Sequence, residues 1–271
     1  MKVYISVDIE GVACVAAPEE VDMAQGAQYE PFRHQMTAEA MAACRGAWAA
    51  GARCVVVKDA HWTGRNLDPH AMQAQEGKEL QLIRGWSGHP LAMVQGLDES
   101  FDAVVFVGYH AAAGVAGNPL AHTFSGRRFA RVELNGRVAS EYLLYAHAAA
   151  SVGVPLVFVS GDEAVCAQAA ADIDGLVTVP VLRGEGPSTI SLPPAESVRR
   201  IEAGVSKALM SPRPALLRPP SRVQLRLVFR SAADAYAKSF FPGARTVSDT
   251  TLELKSRDYR AALTFLLYCA Q

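Results

Sequence analysis

The chain has 271 residues, half of them apolar, enough to bury the core of one large domain or of two unequal ones. Its 26 basic and 27 acidic residues nearly cancel, and no run of Lys and Arg stands out, which argues against a nucleic-acid partner or an anionic membrane surface. No apolar run is long enough to span a bilayer and no secretory leader is legible. The five scattered cysteines, without Cys-x-x-Cys spacing, suit a reducing compartment, so a cytoplasmic protein is expected.

Residues 2–7 form the first short apolar run and read as a buried strand, as do residues 53–58, 102–108 and 155–160. Helical patterns separate them. Residues 37–51 open on Thr37 as a cap and close on Gly51, and residues 141–152 close on Gly153 in the same way. Residues 128–134 and 137–139 flank Asn135-Gly136, the commonest two-residue hairpin turn, and the ribbon leads into the helix at Glu141. The alternation of strands and helices predicts an α/β fold, a mostly parallel, doubly wound sheet with flanking helices. The composition changes after Val181, where prolines begin to cluster. A helix over 195–209 follows, then an alternating strand over 222–230, a further helical stretch, a strand over 246–254 and a final helix over 257–269. These elements predict a smaller α+β domain, residues 190–271, appended to an α/β catalytic domain of residues 1–189.

Open parallel sheets bind ligands beyond the carboxyl ends of their strands, and the titratable residues collect there. The first strand ends in Asp8 and Glu10, the second in Asp59 and His61, the third in His110 and the fourth in Asp162. Residues i and i+2 of an extended segment share a side, so Asp8 and Glu10 can enter one crevice, as can Asp59 and His61. Each residue alone has a plainer reading, as a helix cap, a turn residue or a hydrogen-bonded core histidine. Together, two close carboxylates without a neighbouring Lys or Arg call for a cation, and two histidines favour zinc over calcium or magnesium. Dinucleotide, Walker and Gly-x-Ser-x-Gly signatures are missing. Ser125, close to His122 in sequence, leaves a serine hydrolase open.

The segments Ser6-Val7-Asp8-Ile9-Glu10-Gly11, Val57-Lys58-Asp59-Ala60-His61, Val107-Gly108-Tyr109-His110-Ala111 and Ala121-His122-Thr123-Phe124-Ser125-Gly126 resemble, in order and spacing, the motifs of the DppA-type D-aminopeptidases, peptidase family M55. Residues 154–162 resemble a later strand of that family and fix the register back to Glu141. The resemblance implies a zinc-dependent D-aminopeptidase holding two Zn2+ ions per subunit. Asp8 would bridge the ions, Glu10 and His61 would complete one site, and His110 and Glu141 the other. His122 would be the catalytic histidine. Short peptides with an N-terminal D-residue, such as D-Ala, are the implied substrates, cut by a dizinc-activated water, and a ring-like homo-oligomer, a homodecamer, is the implied assembly. Glu133 competes with Glu141 as a ligand, and Ser140 stands where the family usually has a small residue. Asp59 either orients His61 through its other ring nitrogen or caps the following turn. Another dinuclear hydrolase, such as an L-aminopeptidase, amidase or phosphoesterase, or a non-catalytic metal-binding protein, would share the same residues.

Overall fold

The computed structural model describes residues 1–271. The first half of the chain forms β1 (Lys2–Val7), α1 (Glu30–Ala49), β2 (Cys54–Asp59), β3 (Glu79–Ile83), β4 (Ala103–Tyr109), β5 (Phe129–Leu134), β6 (Arg137–Val138) and α2 (Glu141–Ser151). The second half forms β7 (Leu156–Asp162), α3 (Glu163–Asp172), β8 (Val177–Glu185), β9 (Ser188–Ser191), α4 (Pro194–Met210), β10 (Val223–Phe229), α5 (Ala232–Lys238), β11 (Ala244–Ser248), β12 (Thr251–Ser256) and α6 (Tyr259–Ala270).

Seven strands make one sheet in the order β3-β2-β1-β4-β7-β8-β9, parallel except where β9 turns back on β8. The predicted fold class is the one observed. The strands β1, β4 and β7 are mostly apolar and buried nearly throughout because both faces of the sheet are covered. Val3, Ile5 and Val7 pack with Ala40 of α1 and Val205 of α4 on one face. Tyr4 and Phe106 pack on the other face in a core that also takes in α2, α3 and α6.

A second sheet, antiparallel, has the order β11-β12-β10-β5-β6. Its apolar residues Leu225 and Leu227 join the core that holds Phe106 and Tyr142. The seam between the sheets does not follow the expected cut near residue 190. Strands β5 and β6 pair within the second sheet, while α4 packs on α1 against the first. The hairpin at Asn135-Gly136 forms as expected, with both residues left-handed (φ 51° and 80°).

Three expectations change. Helix α1 begins two turns before Thr37, at Glu30 with Pro31 in its first turn, and Thr37 is a buried interior residue whose hydroxyl donates to the Arg33 carbonyl. The expected strand over 246–254 is a hairpin, β11 and β12, turning at Asp249-Thr250. The edge strands β3 and β9 escape a search for buried runs because they are half exposed.

The chain winds outward from β1 through β2 to β3, then returns to β4 on the opposite side of β1 and continues to β7 and β8. Connections therefore leave β1 and β4 in opposite directions, and a crevice opens at their carboxyl ends. Close backbone approach holds it together. Gly11 N–H donates to the Gly108 carbonyl at 2.9 Å, and Gly108 itself is left-handed at φ 72°. A Cβ on Gly11 would lie 1.9 Å from the Tyr109 carbonyl oxygen. Gly11→Ala is expected to destabilise the protein by about 1–3 kcal/mol or more through backbone displacement, which a urea-denaturation midpoint would register.

Candidate metal centre

Asp8 and Glu10 leave the end of β1, His61 follows β2, His110 follows β4, and Glu141 opens α2. All five are buried. Ser140 caps α2 by accepting from Leu143 N–H, which places Glu141 in the first helical turn, where the helix dipole favours a carboxylate. Glu133 lies in β5 and pairs with Arg131 at 2.7 Å, outside the cluster.

The carboxylate of Asp8 is shared between two imidazoles: Oδ1 lies 3.4 Å from His61 Nδ1 and Oδ2 3.6 Å from His110 Nε2. Glu10 Oε2 is 3.2 Å from the same His61 nitrogen, and Glu141 Oε2 is 3.7 Å from the same His110 nitrogen. His122 Nε2 faces Glu10 Oε1 at 3.9 Å and Glu141 Oε1 at 3.7 Å. Its ring stacks on that of His110, centroids 4.4 Å apart. At 22% side-chain exposure, against 7% or less for the other five, His122 is the member that faces the open cavity.

The other nitrogen of each ring fixes the tautomer. His61 Nε2 meets the Val21 carbonyl, His110 Nδ1 the Ala111 carbonyl and His122 Nδ1 the Leu120 carbonyl, each at 2.9 Å. A carbonyl oxygen only accepts, so those nitrogens carry the protons. The nitrogens turned towards the carboxylates are then lone pairs in the neutral rings, and acceptor faces acceptor. Glu10 Oε2 and His110 Nε2 are buried without a hydrogen-bond partner. Such a cluster takes up either protons or cations.

Without a cation, protons are held here. Burial works against charge on His61 and His110, yet Glu10 and Asp8 around His61, and Glu141 beside His110, push both well above the ordinary histidine value. Burial and Glu10 together raise Asp8. Burial would raise Glu141 too, but His110 holds it down to about 2.

With cations the donors fit directly. Zinc bonds of about 2.0–2.1 Å give tetrahedral edges of about 3.3 Å, close to the separations seen here. Asp8, Glu10 and His61 form one group whose ligand atoms lie within 4.8 Å of one another, and Asp8, His110 and Glu141 form another. Both groups share Asp8. The five expected ligands and His122 thus come together in one cluster whose donor types fit divalent cations.

Asp59 is placed differently. Its carboxylate accepts from Asn66 N–H at 2.5 Å, Leu67 N–H at 2.8 Å and the Asn66 side chain at 2.8 Å, so it builds the loop after β2, and the Val21 carbonyl orients His61 instead. Asp162 accepts from Ala111 N–H, Asn118 and Val165 N–H, tying the loop after β4 to the start of α3. Neither nitrogen of His122 hydrogen-bonds Ser125, which removes the pairing a serine hydrolase needs. Phe124 was not foreseen: left-handed at φ 62°, it aims its backbone N–H at Glu141 Oε1, 2.6 Å away. No side-chain type marks such a role. Glu10, His122 and Glu141 line a cavity of about 510 Å³ together with Trp62, Trp86 and Arg127.

A parallel sheet whose switch-point crevice holds this donor set, with a stacked imidazole beside it, has the make-up of a metal centre. The sequence profile of peptidase family M55, described as D-aminopeptidase, matches residues 1–268. The D-aminopeptidase of Bacillus subtilis (strain 168) is 31% identical over 273 residues, which covers 98% of this chain and 96% of the relative. A solved structure described as the Zn-dependent D-aminopeptidase DppA from Bacillus subtilis, a self-compartmentalizing protease, superposes with a TM-score of 0.91 at 28% identity, over 99% of this chain and 96% of the other. The chain belongs to the D-aminopeptidase family, and the resemblance carried by its motifs extends over its whole length.

Replacing Asp59 with Ala would leave three buried donors unsatisfied. A loss of about 3 kcal/mol or more is expected in equilibrium denaturation.

Proposed function

We propose that the chain is a zinc-dependent aminopeptidase that releases N-terminal D-residues, such as D-Ala, from short peptides, using two zinc ions per subunit. The observation that supports the reading is the division of Asp8 between two imidazole nitrogens, an arrangement that calls for positive charge on each side and that a cation at each would supply. Asp8, Glu10 and His61 would hold one ion; Asp8, His110 and Glu141 the other. With neutral imidazoles the three carboxylates Asp8, Glu10 and Glu141 are outweighed by two dications with one positive charge to spare, which suits a developing oxyanion. When bound, the ions would acidify water and polarise the scissile carbonyl.

The rest is work for this chain's own groups. Leu120 holds His122 Nδ1–H, so Nε2 is free to take a proton and hand it on to the leaving amine. The oxygens of Glu10 and Glu141 that face His122 can accept from the ammonium of a substrate N-terminus, which restricts cutting to that end. Phe124 N–H keeps Glu141 from swinging away. The D-selectivity follows from the family rather than from these side chains.

Elemental analysis of protein purified without added metal is expected to find about two zinc ions per chain, lost with activity on chelation. Less than one per chain, with turnover indifferent to chelators, sinks the proposal. His122→Ala is expected to keep its zinc and lose roughly 10²–10⁴-fold in kcat. A panel of D- and L-amino acid amides plus a phosphoester discriminates this reading from an L-aminopeptidase, amidase or phosphoesterase.

The same proposal includes assembly into a closed homo-oligomer, a ring of ten in the fullest form. Tyr236 and Phe240 of the second sheet's unit stand exposed as an edge-to-face pair, available for such a contact. Light scattering is expected to return a mass several times the 29.0 kDa of one chain; a monomer at working concentration removes it. No helix is long and apolar enough to cross a membrane, and the five free cysteines fit the cytoplasmic setting we propose.

A further inference from the structure

The cavity is also lined by Trp62, which is 52% exposed and left-handed at φ 39°. An exposed tryptophan in a strained conformation needs external support, and it has several layers of it. Gly85 N–H donates to the Gly64 carbonyl at 2.7 Å, joining the loops after β2 and β3. Trp86 Nε1–H donates to the Trp62 carbonyl. Beneath Trp86 lies the ammonium of buried Lys58, 4.0 Å from the ring centroid and fastened to the Asp59 and Gly85 carbonyls at 2.7 Å.

On top of Trp62 rests the guanidinium of Arg127, 5.4 Å from the ring centroid. No acidic side chain pairs with it. Its neighbour Arg128 is fully engaged, with Asp234 and the carbonyls of Ala270 and Gln271. Arg127 is the only Lys or Arg lining the cavity, and it follows closely the segment that carries His122 and the N–H of Phe124. A guanidinium held by stacking keeps its N–H fork free for a planar anion. The same cavity thus offers the carboxylates of Glu10 and Glu141 to an ammonium and the supported guanidinium of Arg127 to a carboxylate.

We infer that Arg127, seated on Trp62, binds the free α-carboxylate of the substrate and makes dipeptides and other short peptides with an unblocked C-terminus the preferred class. The inference rests on the peptidase reading of the same site and adds a specificity-determining residue to it. Arginine supplies two parallel hydrogen bonds to a carboxylate, where lysine supplies only a point charge.

The test compares D-alanyl-D-alanine with its C-terminal amide on zinc-loaded protein. In the wild type, kcat/KM for the acid is expected to exceed that for the amide by about tenfold or more, the effect of one well-made ionic hydrogen-bonded pair. The ratio is expected to fall to about one in Arg127→Ala, to lie between in Arg127→Lys, and to invert in Arg127→Glu. Calorimetric titration of both compounds into zinc-loaded His122→Ala, with and without Arg127→Ala, reads the same preference as binding, without turnover. Cleavage of both compounds with a ratio unmoved by Arg127→Ala overturns the carboxylate inference and leaves the peptidase reading intact. Failure of the wild type to cleave either, with the binding preference present and lost in Arg127→Ala, refutes the peptidase reading alone. Binding of neither compound overturns the inference.

Discussion

Acceptors facing acceptors in a buried crevice are the condition around which this structure is organised. Three backbone carbonyls take the spare N–H of His61, His110 and His122, so that none of the three rings in its neutral form can donate to the acids beside it. Asp8 then lies between two lone pairs, and Glu10 Oε2 has no donor at all. In an interior of low polarity such a cluster is strongly unfavourable unless positive charge enters it. The fold supplies the counterweight of rigidity: the ligand loops of β1 and β4 are joined by backbone hydrogen bonds at a spacing that only glycine permits. A site held this firmly is ready for ions before they arrive.

The segment after β4 carries most of the remaining function. Asp162 and Asn118 anchor its beginning, and the hydroxyl of Thr123, bonded to the Ala139 carbonyl and to Ala113 N–H, anchors its end. Between and just beyond these anchors stand His122, the left-handed Phe124 and Arg127. One stretch of backbone thereby sets the distance between the proposed proton carrier, the support of a proposed metal ligand and the proposed anchor of the substrate's far end.

Much of the site was legible in the sequence for a definite reason. Asp8, Glu10, His61 and His110 each follow a short, mostly apolar run rich in Val, Ile or Phe, the pattern of a strand buried on both faces, with the polar residues after it at the rim. Glu141 was reached through the family resemblance of residues 154–162, which fixes the register back to it, and through the Asn-Gly ribbon that leads into its helix. Groups that act through the backbone left no trace: the Val21, Ala111 and Leu120 carbonyls, and the N–H of Phe124. Asp59 has the spacing of a partner for His61, but an aspartate two residues from a ligand on the same chain is equally placed to gather the N–H groups of the next loop, and the three donors at Asn66 and Leu67 win. The alternation of residues 223–229 announces a strand but not its neighbour, which lies some ninety residues earlier at β5.

That distant pairing governs when the centre can take shape. Leu134 finds its partner in Leu225, and Val132 in Leu227. Until residues 223–229 have been made, the ribbon that leads directly into Glu141 has no sheet to join. Closure at this range is slow, as is the pairing of β1 with β4, whose partners Val3 and Ala103 are at least as far apart in sequence. The strands that carry the first four proposed donors find their partners within residues 1–185, whereas the ribbon before the fifth needs residues 223–229, so a polypeptide cut before them would carry the acidic crevice without the sheet that sets Glu141.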